Sequence, residues 1–338
     1  MCSGTNIPRF WIKETLRNRR TCMGRTKTLP CIGAVAYING VLKSSFDPND
    51  QSSALLRLLR SEQNIENCNV ATPIEPFSFE TRDLLSLLVR KHIKAVLFAS
   101  LHPNKKERGL VFDAIKASGI AVYDLHRDVE VSEIDRRFWT WASKGRSYIH
   151  LKISLTADGQ VVPTPGQKTR LAGKLSSERI HRIRGIYDGL LLGGNTVRKD
   201  GAQMTYRGKE DLPQPMKIIL SHSGEFDQCL PAFQGNKPYI YAENNLTELA
   251  KKLAHKNITS VLVEGGWQVY KEFIEQGVMD EVSLVWTNKL GRKEGLPLVG
   301  NLPYGILKVI GEDIWEIIEW PVARAGRHCR KRSFYETN

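Results

Sequence analysis

With 338 residues, 41% hydrophobic and 25% charged, the chain has an ordinary globular composition and enough apolar material for two domains of usual size. The net charge is +13, yet the longest basic blocks are only Arg17–Arg20 and Arg327–Arg332, so no nucleic-acid-binding tail is expected. No stretch approaches the roughly 18 apolar residues of a membrane helix, so no membrane span is expected. A basic surface spread this way suits phosphorylated small molecules, or merely keeps the chain soluble. The six cysteines (Cys2, Cys22, Cys31, Cys68, Cys229, Cys329) show neither C-x-x-C spacing nor a disulfide ladder. Reduced thiols and a cytoplasmic location follow. The first 30 residues lack an apolar leader core; Arg-rich and Asp-free, they leave an organelle transit segment as the alternative.

In chain order, Pro8–Arg20 reads as a helix on Phe10, Ile12 and Leu16. Pro30–Val41 reads as strand, Asn39-Gly40 turn, strand. Ala54–Leu59 is helical. Thr81–Lys94 is a helix leading into a strand at Ala95–Ala99; Gly109–Ser118 is a helix and Ile120–Tyr123 a strand. This alternation predicts a three-layer α/β unit over residues 1–145. Asp128–Ser143 reads as a polar connector, and a second domain spans 146–338.

The second domain opens on the alternating strand Tyr148–Leu155 and a turn at Thr156–Gly159. Ser176–Arg184 is a basic helix with Ser176 as its N-cap. Gly189–Leu192 is a strand and Gly193–Val197 a tight loop. Strands follow at Lys217–Leu220 and Tyr239–Ala242, a helix at Leu246–His255, and a strand at Glu281–Trp286. The stretch Ile258–Gly277 organises this half. A valine-rich strand, Ser260–Val263, runs into Gly265-Gly266; then Val269, Tyr270, Phe273 and Ile274 take helical spacing, with Gly277 as left-handed cap. Two glycines before a helix start make an anion site for a diphosphate, or else an ordinary strand–turn–helix connection. Glu264, at the strand end, is placed to meet whatever lies there.

In the first domain the order of pieces is similar to the bifunctional deaminase/reductase family of riboflavin biosynthesis, whose first domain has the cytidine-deaminase-like fold. That family holds zinc on the His of an H-A-E motif and two Cys of a P-C…C motif. The corresponding stretches here read Gln51-Ser52-Ser53-Ala54 and Glu75-Pro76-Phe77, and the second-Cys loop runs straight into Glu80-Thr81-Arg82-Asp83. Gln, Ser and Phe cannot hold zinc or lower the pKa of a bound water. The resemblance therefore implies a degenerate deaminase domain with no zinc and no metal site. Its remaining role would be packing, dimer support or partner binding. Cys31 and Cys68 miss the motif positions and read as buried thiols.

The resemblance is sharpest in the second domain, which it makes a dihydrofolate-reductase-like fold: a mostly parallel sheet with helices on both faces. Leu151–Gly159 compares with the family's L-K-x-x-x-S-L-D-G. Gly193-Gly194-Asn195-Thr196-Val197 compares with V-G-x-x-T-V, and Thr196, Asp200, Thr205 and Arg207 hold their places in its continuation. Val263-Glu264-Gly265-Gly266 compares with the glycine-rich cofactor turn. The implied activity is NADPH-dependent reduction of the ribosyl group of a 6-(5-phosphoribosylamino)pyrimidine. Lys152, Asp200 and Glu264 would be catalytic. Ser154 (main chain), Gly193, Thr196, Gly265 and Gly266 would hold NADPH. Lys168, Arg184, Met204 and Arg207 would meet the substrate, with Arg184 and Arg207 on its phosphate. The resemblance also implies a homodimer. Two rivals stand beside this reading, the first motivated by Lys168 and Arg170, which depart from the family's Ser-Trp-Ile-Thr pattern. One is a same-fold reductase for a related pyrimidine or pteridine intermediate. The other is a non-catalytic partner of a separate, active deaminase.

Overall fold

The computed structural model describes residues 34–38, 41–45, 52–126, 128, 131–132, 136–162, 171–210, 212–293, 295–298, 300–320 and 331–334. The helix expected at Pro8–Arg20, the Asn39-Gly40 turn, and Lys168 and Arg170 lie outside these residues. The chain divides into two compact units, Met1–Gly145 and Arg146–Asn338.

In the first unit, β1 (Ala34–Ile38) and β2 (Val41–Ser45) form the antiparallel hairpin expected of the Asn-Gly signal. The five-stranded sheet has the order β2-β1-β3-β4-β5, with β3 (Asn69–Ile74), β4 (Ala95–Ser100) and β5 (Ala121–Asp124) parallel. Helices α1 (Ala54–Ser61), α2 (Thr81–Arg90) and α3 (Leu110–Ala117) link the strands. Their leucines and valines enclose one apolar cluster that includes Cys68, whose thiol burial pushes up. The stretch read as a polar connector contains a helix, α4 (Arg136–Lys144). Its Phe138 is buried against Ile74, Ala99 and Val131, and Trp139, Trp141 and Ala142 pack beside it, so the aromatics of the segment dock it. No element is expected from the sequence at β3 (Asn69–Ile74).

The second unit carries an eight-stranded sheet of order β10-β9-β8-β11-β6-β12-β16-β15. Its strands are β6 (Tyr148–Leu155), β8 (Gly189–Gly193), β9 (Met216–Leu220), β10 (Tyr239–Tyr241), β11 (Ser260–Val263), β12 (Glu281–Trp286), β15 (Ile306–Ile310) and β16 (Asp313–Glu319). The first six run parallel, and β15 and β16 close the sheet antiparallel. Short pairs β7 (Gln160–Val162) with β13 (Leu296–Pro297), and β14 (Gly300–Pro303) with β17 (Lys331–Phe334), lie beside it. Alternation along β6 divides two cores. Ile149, Leu151 and Ile153 face α7 (Leu246–His255) and α8 (Trp267–Gln276). Tyr148 faces the opposite way, into a cluster with Leu190, Leu192 and Val197 that the helix α5 (Lys174–Ile186) edges with Ile183 and Ile186.

Two expectations are corrected here. Gly173, not Ser176, is the N-cap of α5; Ser176 is buried and its Oγ accepts the Trp315 indole N–H at 2.9 Å. Gly193–Val197 is no loop: a short helix, α6 (Gly194–Asp200), starts directly off β8. Gly277 does close α8 in the left-handed conformation, at φ 64°.

Candidate active site

The parallel strands β8, β11 and β6 are neighbours, so their carboxyl ends bring the expected residues to one edge of the sheet. In an open α/β sheet this is where ligands bind, at the point where strand order reverses. Here the chain runs outward from β8 to β10, then returns to insert β11 between β8 and β6.

The centre is a buried charge cluster. Glu264 directly follows β11, and its backbone N–H still donates to Leu191 of β8 at 3.0 Å. Arg184, in the last turn of α5, forks onto its carboxylate: Nε to Oε1 at 2.6 Å and Nη2 to Oε2 at 2.9 Å. Lys152 of β6 places Nζ 3.2 Å from Oε2. From the other face of the sheet, the Tyr270 hydroxyl of α8 donates to the Lys152 carbonyl at 2.8 Å. Burial alone would raise the Glu264 pKa; the Lys152 charge and the Arg184 hydrogen bonds outweigh it and hold the carboxyl at about 2. Burial, then the Glu264 charge, push the Tyr270 hydroxyl well above its ordinary value. Glu264 is therefore a fixed carboxylate and Tyr270 a fixed hydrogen-bond donor across the neutral range.

The glycines divide by role. A Cβ on Gly265 would meet Val269 Cβ at 2.5 Å, and one on Gly193 would meet Val269 Cγ2 at 2.7 Å. Their bareness lets α8 press onto the strand ends. Gly266 differs: a Cβ there would meet only Thr196 Oγ1, at 3.4 Å. Gly266 is the N-cap of the ten-residue α8 and Thr196 lies in the first turn of α6, so two main-chain turns and a hydroxyl converge. The first N–H groups of such a helix lack intrahelical partners and favour an anion. Bare backbone, a hydroxyl and a helix start fit the diphosphate of a nicotinamide dinucleotide. Ser154 lies beyond Leu151, where the β6–β11 register ends, and pairs with Val285 of β12 on its other side.

Asp200 ends α6. Arg207 is exposed, its Nη1 donating to Gln203 at 2.8 Å. Met204 is 3% exposed and packs with Leu192, Val197 and Ile219, so its side chain serves the core. Arg184, expected on the substrate phosphate, forks onto Glu264. Helical spacing marks Tyr270 only as an apolar position; its tie to Lys152 spans 118 positions and leaves no local sequence signal.

In the first unit, the stretches compared with the zinc motifs do converge, around a cavity of about 20 Å³ lined by Ser53, Arg57, Thr72, Glu75, Phe77 and His102. That volume admits about one water. Ser53 caps α1, accepting the Leu56 N–H. The Phe77 ring lies 4.3 Å from that of His102. His102 Nδ1 accepts the Asn104 N–H, and burial lowers its pKa to about 4, so the neutral ring carries its hydrogen on Nε2. Glu75 is wholly structural: its carboxylate accepts the N–H groups of His102, Gly109, Val111 and Phe112. Among the described residues no group of three His, Cys, Asp or Glu is arranged to hold a metal, and no helix is long and apolar enough to cross a membrane.

Residues 147–307 match the family model described as the RibD C-terminal domain. The second unit belongs to the RibD C-terminal domain family. The match takes in Lys152, Arg184, Thr196, Asp200, Arg207 and Glu264. Over 327 residues the chain is 24% identical to the riboflavin biosynthesis protein RibD of Aquifex aeolicus, covering 88% of this chain and 90% of that protein. The chloroplastic riboflavin biosynthesis protein PYRR of Zea mays is 29% identical over 233 residues, 62% of this chain and 36% of its own. Acinetobacter baumannii RibD superposes with a TM-score of 0.82 at 19% identity, over 92% of this chain and 98% of that one. A diaminohydroxyphosphoribosylaminopyrimidine deaminase/5-amino-6-(5-phosphoribosylamino)uracil reductase from Thermotoga maritima gives 0.80 at 21%, over 92% and 97%. These likenesses span both units. The deaminase-like fold of the first and the reductase fold of the RibD C-terminal domain are those of this chain.

Proposed function

We propose that the RibD C-terminal domain reduces the ribosyl group of a 6-(5-phosphoribosylamino)pyrimidine to a ribityl chain, with NADPH as the reductant. The chain is thus an oxidoreductase of riboflavin biosynthesis. The observation that carries this is the buried Lys152–Glu264–Arg184 cluster beside the Gly266–Thr196 turn, inside the matched domain.

Bound at that turn, the nicotinamide would supply a hydride to the sugar C1′. The C1′–O4′ bond breaks as the hydride arrives, and O4′ leaves as a hydroxyl once it has taken one proton. The protein supplies that proton and the alignment. Glu264, ionised down to about pH 2, has no proton to give. The donor is then Lys152 or Asp200. Arg207, exposed on the segment after α6, suits the 5′-phosphate, where Arg's fork matches the oxygens.

The first unit is, in the same reading, a deaminase fold without deamination. Ser53 and Phe77, which cannot hold zinc, stand where ligands would be needed. A homodimer is supported by β15, one of the two edge strands of the sheet. Its Ile306, Leu307 and Val309 are 62–77% exposed. The decisive assay follows NADPH oxidation by the purified chain with 5-amino-6-(5-phosphoribosylamino)uracil. Turnover to the ribityl product supports the proposal; tight NADPH binding without turnover points to another substrate, and neither points to a non-catalytic partner.

A further inference from the structure

The carbonyl of Lys152 sits where two strands part. β6 and β11 run parallel and pair from Tyr148 with Ser260 to Leu151 with Val263. The pairing ends there because the chain leaves the sheet after β11 for the glycine turn and α8. In parallel strands the carbonyls take their hydrogen bonds from neighbouring backbone. Lys152 is the first β6 residue past the last pair, and a buried carbonyl left bare at that point would be costly. The bond comes instead from a side chain: the Tyr270 hydroxyl donates to it at 2.8 Å. β12 goes on pairing with the other side of β6 as far as Leu155. Tyr270 thus fastens this end of β6 on its β11 side.

Tyr270 is itself firmly seated. It is buried among Ile149, Leu151 and Ile153, on the face of the sheet away from the Lys152 side chain. Its backbone N–H donates to the carbonyl of Gly266, the N-cap of α8, at 3.2 Å. The preceding residue, Val269, fills the notch left by the bare Gly265 and Gly193. Burial keeps the hydroxyl protonated, so it stays a donor. One turn of α8 therefore joins the Gly266–Thr196 turn, the place for the dinucleotide diphosphate, to the main chain that carries Lys152. We propose that Tyr270 is a positioning residue: through the Lys152 carbonyl it fixes where the Lys152 ammonium stands relative to the cofactor turn, while its own hydroxyl is spent on backbone and meets neither cofactor nor substrate. This rests on the reductase reading above, with Lys152 at the reacting sugar. A shift of about 1 Å at such a group is felt mainly as lost rate, because the reacting atoms no longer align.

The test compares wild type, Tyr270→Phe and Ser147→Ala, all as the full chain. Tyr270→Phe removes only the hydroxyl and keeps the packing of the ring. Ser147 is the control: it too spends a buried hydroxyl on main-chain carbonyls, those of Ala250 at 3.1 Å and Ile258 at 2.6 Å, but at the amino end of β6, away from the site. Both variants are expected to melt roughly 2–6 °C below wild type, so the assays are run well below that range. A positioning role predicts that Tyr270→Phe lowers kcat roughly tenfold or more. KM for the substrate and Kd for NADPH then change less than about threefold, and Ser147→Ala keeps the wild-type kcat. A second readout needs no turnover. Reductive methylation of the free chain by formaldehyde and borohydride, with Lys152 followed by peptide mass spectrometry, is expected to be at least about threefold faster in Tyr270→Phe, and unchanged in Ser147→Ala. A Tyr270→Phe chain with wild-type kcat and a wild-type Lys152 methylation rate would make the hydroxyl purely structural and overturn the inference. If wild type oxidises no NADPH with this substrate, the reductase reading falls; the methylation rate of Lys152 still decides the role of Tyr270, an unchanged rate counting against it.

Discussion

Replacing Glu264 by Gln removes the one anion from between Lys152 and Arg184 and leaves two facing cations in a buried site. Removing one partner of a buried pair costs about 3–5 kcal/mol. Linkage gives a second route to the number. The carboxyl lies at about 2 in the folded chain against 4.5 for the ordinary group; at about 1.4 kcal/mol per pH unit this is roughly 3 kcal/mol. The sign is that of a depressed acid. The stabilisation is fully present above pH 4.5 and is lost as pH falls toward 2. We therefore expect Glu264→Gln to lower the melting temperature of the second unit's transition by roughly 6–12 °C at neutral pH. Calorimetry of the whole chain is the assay, with the double variant Glu264→Gln/Lys152→Met as control, since removing one stranded cation is expected to recover part of the loss. The double variant also tests coupling, because residues in contact are not additive. A Glu264→Gln melting curve that overlays wild type at pH 7 would show that solvent screens the cluster and that the reasoning is wrong.

Further expectations follow from the same geometry. Gly265→Ala places a Cβ 2.5 Å from Val269 Cβ and is expected to cost about 1–3 kcal/mol. Val269→Ala added to it is expected to recover part of that, by denaturant titration. Glu75→Gln replaces a carboxylate that accepts four backbone N–H groups. The amides of His102, Gly109, Val111 and Phe112 are then expected to exchange with solvent at least tenfold faster, read by hydrogen exchange. His102, held at about 4 by burial against its ordinary 6.5, is a depressed base. The unfolded chain takes up its proton first, so the first unit loses stability as pH falls from 6.5 to 4. His102→Gln is expected to flatten that part of the stability curve. Metal analysis of the purified chain is expected to find zinc far below one per chain; stoichiometric zinc would overturn the reading of the first unit.

The regular elements were legible because each carried its own period. Ser260–Val263, Leu246–His255 and Glu281–Trp286 coincide with β11, α7 and β12. Short or weakly patterned pieces were not. Helix α6 is only seven residues long and opens on Gly-Asn, which reads as a turn until β8 is seen to feed it. Helix α4 has polar residues at most positions and is held by tertiary burial of Phe138. At the site, family-like spacing marked Lys152, Glu264 and the glycines, but spacing says nothing of partners. That Arg184 pairs with Glu264, that Gly193 and Gly265 are bare for Val269, and that Tyr270 ties down Lys152 all depend on contacts between distant segments. Glu75 is a similar case: it organises a loop by four hydrogen bonds from distant backbone, a task independent of any metal.

Transfer of label tests the central claim most directly. With NADPH carrying deuterium at the transferable position of its nicotinamide, mass spectrometry of the product from 5-amino-6-(5-phosphoribosylamino)uracil is predicted to find one deuterium at C1′ of a ribityl chain. Unlabelled product, or no product from a chain that binds NADPH, would contradict the account.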